Sequence, residues 1–203
     1  MSKTIKHLLL YAVFLAVVYA VSYHGYIYYY KVQTDQAPPP QAYLYHYAFN
    51  EPYIDGPEEF QQHIKNALAT IKEFSPEQYE DICKYCVQVK YVDVPTDNAG
   101  MAKHKTIFIF ATGYEDALAN LSFNEYRFES MIIHEAEHLI QYANNGSKIP
   151  IEQREAEALA AERKLLTALD VPPEQIEQIV GDHLLETRWW EKDADIWNAM
   201  GRN

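Results

Sequence analysis

The sequence predicts an α+β fold behind a single N-terminal apolar segment. In several long stretches apolar residues recur at three-to-four spacing, the period of an amphipathic helix. Only two short stretches, residues 87–94 and 106–110, carry the alternation or the β-branched and aromatic density of strands. A length of 203 residues, 48% hydrophobic, accommodates one domain with a proper core and a modest extension.

Residues 1–31 read as a membrane anchor or signal segment. Lys3, Lys6 and His7 precede an apolar run from Leu8 to Val21, which continues through a tyrosine cluster to Tyr30 and Lys31. The apolar run alone suits a signal-peptide core, with Val18-Tyr19-Ala20 as a cut point. Counted through Tyr30, the segment exceeds the ~20 residues that cross a bilayer of about 30 Å. Its tyrosines resemble an interfacial belt, so an uncleaved anchor is the preferred expectation. The leading lysines stay in the cytoplasm, which turns the rest of the chain to the extracytoplasmic side, or releases it as a secreted protein if the segment is cleaved. Residues 32–42, with Pro38-Pro39-Pro40, read as a stiff extended spacer to a domain spanning 43–203.

The chain carries 17 Lys and Arg against 29 Asp and Glu, a net charge of −12. Lys3, Lys6 and Lys31 belong to the anchor, which has no acidic residue, so the domain is more acidic still. Such a surface is unsuited to nucleic acid or to electrostatic attraction by anionic lipid.

Within the domain, residues 43–53 are aromatic and irregular, as a strand or packing strap. Pro57-Glu58-Glu59 opens a helix whose buried stripe is Phe60, Ile64, Leu68 and Ile71. Ser75-Pro76 opens a second, with serine as cap and proline at the first helical position. Cys83 and Cys86 end that helix; in an exported domain they could pair, and the spacing also suits a redox motif or half a zinc knuckle, but no second Cys pair completes a knuckle and the pair follows a helix where a redox motif precedes one, so a structural or incidental role is expected. The two strands follow, with turn chemistry over residues 96–100. Ser122-Phe123-Asn124-Glu125 is a capping box, and Asn144-Asn145-Gly146 is a helix stop. Residues 151–169 form a further helix, and Pro172-Pro173 opens the next.

Inside the helix bounded by Ser122 and Gly146 lies His134-Glu135-Ala136-Glu137-His138. Residues four apart on a helix share a face, so the two imidazoles can close on one ion. Zinc with three protein ligands keeps a position for water, and Glu135, on the neighbouring side, can take that water's proton. Spacing alone is weak evidence in a chain with eight His and many Glu. Two histidines set among Met131, Ile132, Ile133, Leu139 and Ile140, however, would be costly to bury without a partner. The third Zn2+ ligand is expected from the next helix, at Glu155, with Ala158 one turn on giving the two helices a close approach. Glu152 is the competitor, though its place in the first helical turn is explained equally by the helix dipole. Glu157 is expected in solvent or behind the ligands, and Glu137 without a role.

His134-Glu135-Ala136-Glu137-His138 followed by Glu155-Ala156-Glu157-Ala158 resembles the zincin metallopeptidases of the gluzincin type. The resemblance spans roughly residues 58–169 and implies a zincin-like core: a small sheet, an active-site helix and a following ligand helix. In it the strand 106–110 lines the substrate cleft. It implies metal ligands His134, His138 and Glu155, Glu135 as general base, and a peptide or protein substrate. The acidic residue that many such enzymes place four positions after the ligand glutamate is here Leu159, so the residue orienting the first histidine is unassigned. Tyr142, His183 and Arg188 are candidates to stabilise an oxyanion, and His104 is expected to be a solvated loop residue. The competing expectation is a non-catalytic membrane-anchored binding module with a structural or vestigial zinc. A carboxylate-bridged di-iron site would need a second Glu-x-x-His, and the chain has none.

Overall fold

Four short strands form one mixed sheet, and its two faces are covered in different ways. The computed structural model describes residues 3–94, 96, 98–120, 125–145, 148–181 and 183–186. In chain order the elements are α1 (Lys3–Thr34), α2 (Pro40–Phe49), β1 (Tyr53–Asp55), α3 (Glu58–Phe74), α4 (Pro76–Tyr85), β2 (Gln88–Val92), β3 (Gly100–Lys103) and β4 (Thr106–Phe110). There follow α5 (Ala111–Ala119), α6 (Arg127–Asn145), α7 (Ile151–Ala168), α8 (Pro173–Val180) and α9 (His183–Glu186). The strand order is β1-β2-β4-β3, parallel except for β3, which runs antiparallel to β4. The chain is thus α+β.

Side chains alternate across a strand. Val89, Ala102, Ile107 and Ile109 face the helical layer, where they join Phe60, Ile64, Ile71, Ile82, Ile132 and Leu165 in the main core. Val92, Val94, Met101, Phe108 and Phe110 face the other way. Every residue of β4 is buried, which is why its sequence is an unbroken apolar run rather than an alternation.

The outer face is covered by α1. Residues 11–25 of α1 are exposed all round, and packing begins at Tyr26. Tyr30 is fully buried, its ring 5.3 Å from that of Phe110 and its hydroxyl 3.8 Å from Met101 Sδ. Thr34 Oγ1 donates to the Tyr30 carbonyl, and Asp35 pairs with Lys103 of β3. By length and composition α1 is able to cross a membrane, and its last two turns belong to the domain core.

Several expectations are corrected. The spacer 32–42 is not extended throughout: α1 runs to Thr34, α2 begins at Pro40, and only residues 35–39 between them are non-helical. Proline at the start of α2 is compatible with a helix because the first N–H needs no intrahelical partner. The strand or strap expected over 43–53 is mostly α2, with β1 after it. Gly100, expected to close the turn, opens a strand over 100–103 that pairs with β4 at the sheet edge, and this strand, rather than 106–110, lines the cleft described below. The hairpin between β3 and β4 turns through His104 and Lys105, both at positive φ (51° and 62°), a conformation that the sequence without Gly there did not signal. His104 is exposed, as expected. Helix α6 begins at Arg127, later than the capping box places it; the box and Gly146 lie outside the described residues. Ser75 caps no backbone group and donates instead to Gln78 Oε1 at 2.7 Å. Cys83 and Cys86 are both free and buried in the core, and burial pushes the Cys86 thiol up to about 12. They are packing residues.

Candidate metal centre

Helices α6 and α7 are adjacent antiparallel neighbours, and the small residues Ala136 on α6 and Ala158 on α7 are both buried, Ala158 wholly. Small side chains allow this close approach. The result brings His134 and His138 of α6 against Glu155 of α7. Glu155 Oε2 is 3.3 Å from His134 Nε2, and Glu155 Oε1 is 3.5 Å from His138 Nε2. These three residues form the metal-competent cluster among the described residues, their ligand atoms all within 4.8 Å of one another. Glu152 is exposed on the same helix and takes no part.

The outward nitrogens of both rings are held. His134 Nδ1 donates to Glu162 Oε1 at 2.7 Å, and His138 Nδ1 donates to Gln141 Oε1 at 3.0 Å. A carboxylate only accepts, which places the His134 proton on Nδ1. Gln141 Nε2 is committed as donor to the Arg154 carbonyl at 3.1 Å and to Glu157 Oε2 at 3.0 Å, which fixes its Oε1 as the acceptor. In their neutral forms both rings therefore turn an Nε2 lone pair toward Glu155, available to a cation or to a proton. Three electron-pair donors converging in a buried place are reconciled by a cation.

Electrostatics point the same way. Burial works against a charge on His134, but contacts with Glu155 and Glu162, and the charges of Glu162 and Glu135, outweigh it and raise its pKa well above the usual imidazole range. For Glu155 burial likewise favours the neutral form, but the two imidazoles overcome it and hold the carboxyl far below the usual range. Without a metal, this site attracts a proton.

Glu135 is buried beside the cluster and lines the same cleft, its carboxylate lying against β3. A Cβ on Gly100 would stand 2.9 Å from Glu135 Oε1 and 3.1 Å from its Cγ. Glycine at 100 makes room for this carboxylate. The cleft has a volume of about 380 Å3, within the range of small-ligand sites. The cleft is also lined by Asn98, whose backbone N–H donates to Thr96 Oγ1 at 3.2 Å while Thr112 Oγ1 donates to the Thr96 carbonyl at 2.6 Å. Asn98 Nδ2 is buried without a hydrogen-bond partner among the described residues. A buried amide left unpaired is an expensive feature that a bound acceptor would satisfy.

No family model, no curated protein and no solved structure matches this chain. The site is therefore read from its own geometry.

Of the residues named from sequence, His134, His138, Glu155 and Glu135 come together in one cleft. Tyr142 also lines it, with its hydroxyl accepting from Arg154 Nη1 at 2.8 Å. Arg188 and the side chain of His183 lie outside what is described. Glu137 is half-buried away from the cluster; burial and then the charge of Glu157 push its carboxyl up. Glu157 acts behind the ligands through Gln141. Sequence reasoning missed Glu162, Gln141, Asn98 and Gly100. Glu162 is legible in the sequence: it lies seven residues after Glu155, two turns along the same helical face, beyond Leu159 in the first turn.

Proposed function

We propose that this chain is a membrane-anchored, zinc-dependent peptidase with a gluzincin-like core, acting on peptide or protein substrates at the extracytoplasmic side. The observation that carries the reading is the spacing of the three donors. Ligand atoms each about 2.0–2.1 Å from zinc at tetrahedral angles stand about 3.3–3.4 Å apart; here the three donors lie within 4.8 Å of one another, Glu155 reaching His134 at 3.3 Å through Oε2 and His138 at 3.5 Å through Oε1, a cluster that small shifts close onto one ion. Imidazole and carboxylate donors suit zinc. Three protein donors rather than four among the described residues favour a catalytic site over a closed structural one.

His134, His138 and Glu155 would hold the zinc, which would supply Lewis-acid polarisation of the scissile carbonyl and a water acidic enough to react near neutrality. Glu135 takes a proton from the attacking water as its oxygen bonds to the carbonyl carbon. It returns that proton to the amide nitrogen as the C–N bond breaks, so one water is consumed and a carboxylic acid and an amine leave. Asn98 Nδ2 donates to a main-chain carbonyl of the substrate, which positions the peptide along β3. Tyr142, a lining residue of the cleft, is the candidate donor to the developing negative charge. Glu162 and Gln141 hold the imidazoles in the tautomer that ligates.

The test is Glu135→Gln in the full-length chain, assayed against a broad peptide library. Cleavage is abolished while zinc content stays at the wild-type level. Equal cleavage by both forms would refute the assignment of Glu135.

A further inference from the structure

Among the described residues, the exposed large apolar side chains outside α1 are Tyr43, Leu44, Tyr47, Phe49 and a single outlier, Phe74. The first four all belong to α2. Tyr47 is 91% exposed and Leu44 70%. Residues 43, 44 and 47 fall within about 100° of helix circumference, so they form a stripe. The helix is held to the domain from its other side, by Ala42, which is fully buried, and by Tyr45, whose ring lies 5.8 Å from that of Tyr53. From Gln36 to Asn50 the chain has no Asp, Glu, Lys or Arg, although it is strongly acidic overall. A soluble surface does not ordinarily gather aromatic residues and exclude charge in this way.

Resting on the reading of α1 as a membrane span, we propose that α2 lies in the interface of the bilayer that α1 crosses, with Tyr43, Leu44 and Tyr47 set among the lipid headgroups. The occupant follows from position and chemistry. A span of ~20 residues counted from Lys6 reaches the level of Tyr26, which is where α1 begins to pack on the sheet. The domain therefore meets the membrane surface directly. Thr34 stands only about 12 Å above Tyr26. The five residues 35–39 reach at most about 17 Å when extended, enough to bring the chain back down to the interface before α2 begins. Tyrosine and phenylalanine are side chains of that interface, amphipathic or apolar rings at headgroup level. The lack of charge removes any electrostatic penalty, and none of the seating depends on anionic lipid. Two contacts, a docked α1 and a seated α2, hold the domain in one orientation above the membrane.

The test places an environment-sensitive fluorophore on Tyr47→Cys in the full-length chain, reconstituted in phosphatidylcholine vesicles. Position 47 is almost fully exposed, so the substitution leaves folding intact, and Cys83 and Cys86 are too buried to label. Leu15→Cys reports on the span and Glu77→Cys, exposed on the helical side of the sheet, reports on bulk water. The expected result is blue-shifted emission at 47, quenched by lipids brominated near the top of the acyl chain; emission at 15 is quenched by bromines at greater depth, and emission at 77 is unquenched. Solvent-like emission at 47 with deep quenching at 15 overturns the seating of α2 while the span stands. Solvent-like emission at both positions overturns the span and the seating together. Blue-shifted emission at 47 that brominated lipid does not quench also overturns it, since a second copy or another protein then covers α2.

Discussion

Glu162 offers the sharpest handle on the site, because its hydrogen bond goes to the ring of a ligand. Its Oε1 accepts from His134 Nδ1 at 2.7 Å, and with 5% exposure water cannot take its place. Glu162→Gln keeps an acceptor for that N–H but removes the charge. Glu162→Leu removes both and strands a buried donor, at a cost of ~1–3 kcal/mol. Residues behind metal ligands typically govern 10–100-fold in affinity. Glu162→Gln is therefore expected near the lower end, a roughly 10-fold weaker zinc site worth about 1.4 kcal/mol, and Glu162→Leu near 100-fold, about 2.7 kcal/mol. Competition against a chromogenic chelator measures both, with thermal unfolding of the metal-free proteins as the control for fold. Wild-type zinc affinity in both folded variants would refute the orienting role of Glu162, as would a weaker site in the glutamine variant than in the leucine one.

Gly100→Ala places a methyl group against the Glu135 carboxylate; zinc content is unchanged, while a displacement of about 1 Å lowers kcat by up to ~100-fold. Asn98→Ala removes the unpaired donor from the cleft wall, and kcat/KM for peptides falls about 10-fold or more with zinc affinity intact. Tyr30→Ala opens a cavity between α1 and the sheet and destabilises the domain by about 3–5 kcal/mol in urea unfolding, an effect that a mere tether would not show. In the metal-free protein, the raised pKa of His134 contributes stability that is complete below about 6.5 and lost as pH rises through its folded value. The depressed pKa of Glu155 contributes stability that is complete above about 4.3 and lost as pH falls toward its folded value. The chelated protein is thus favoured between those two pH values. The gain in Tm on adding zinc grows as pH rises above that window, because protons no longer compete for the imidazole; scanning calorimetry with and without chelator from pH 4 to pH 8 checks it.

The histidine pair was legible because helical spacing alone puts residues four apart on one face. Glu155 was legible because one turn and one helix separate it from His138. The strands of the parallel core were legible where β-branched residues crowd, at 88–92 and 106–110. Residues 100–103 were hidden because Gly100-Met101-Ala102-Lys103 is too short and too mixed in propensity to declare a strand; its pairing with β4 makes it one. Helix α2 was hidden for a related reason: aromatic residues lean toward strands by propensity, and the Pro-rich approach masked a proline start. What sequence could not supply at all was the union of anchor and domain. Tyr30 reads as one more interfacial tyrosine, and only the sheet's uncovered outer face gives it a place in a core. A chain beginning at residue 43 would expose Val92, Met101, Phe108 and Phe110, so the metal and activity measurements belong on the full-length protein.

The most direct test of the zinc centre is X-ray absorption at the zinc edge on full-length protein purified without chelators. The expected result is one zinc per chain with a shell of nitrogen and oxygen donors at about 2.0–2.1 Å, including imidazole scattering from two histidines. A folded protein without stoichiometric zinc, or a shell with sulfur at about 2.3 Å from Cys83 and Cys86, would contradict it.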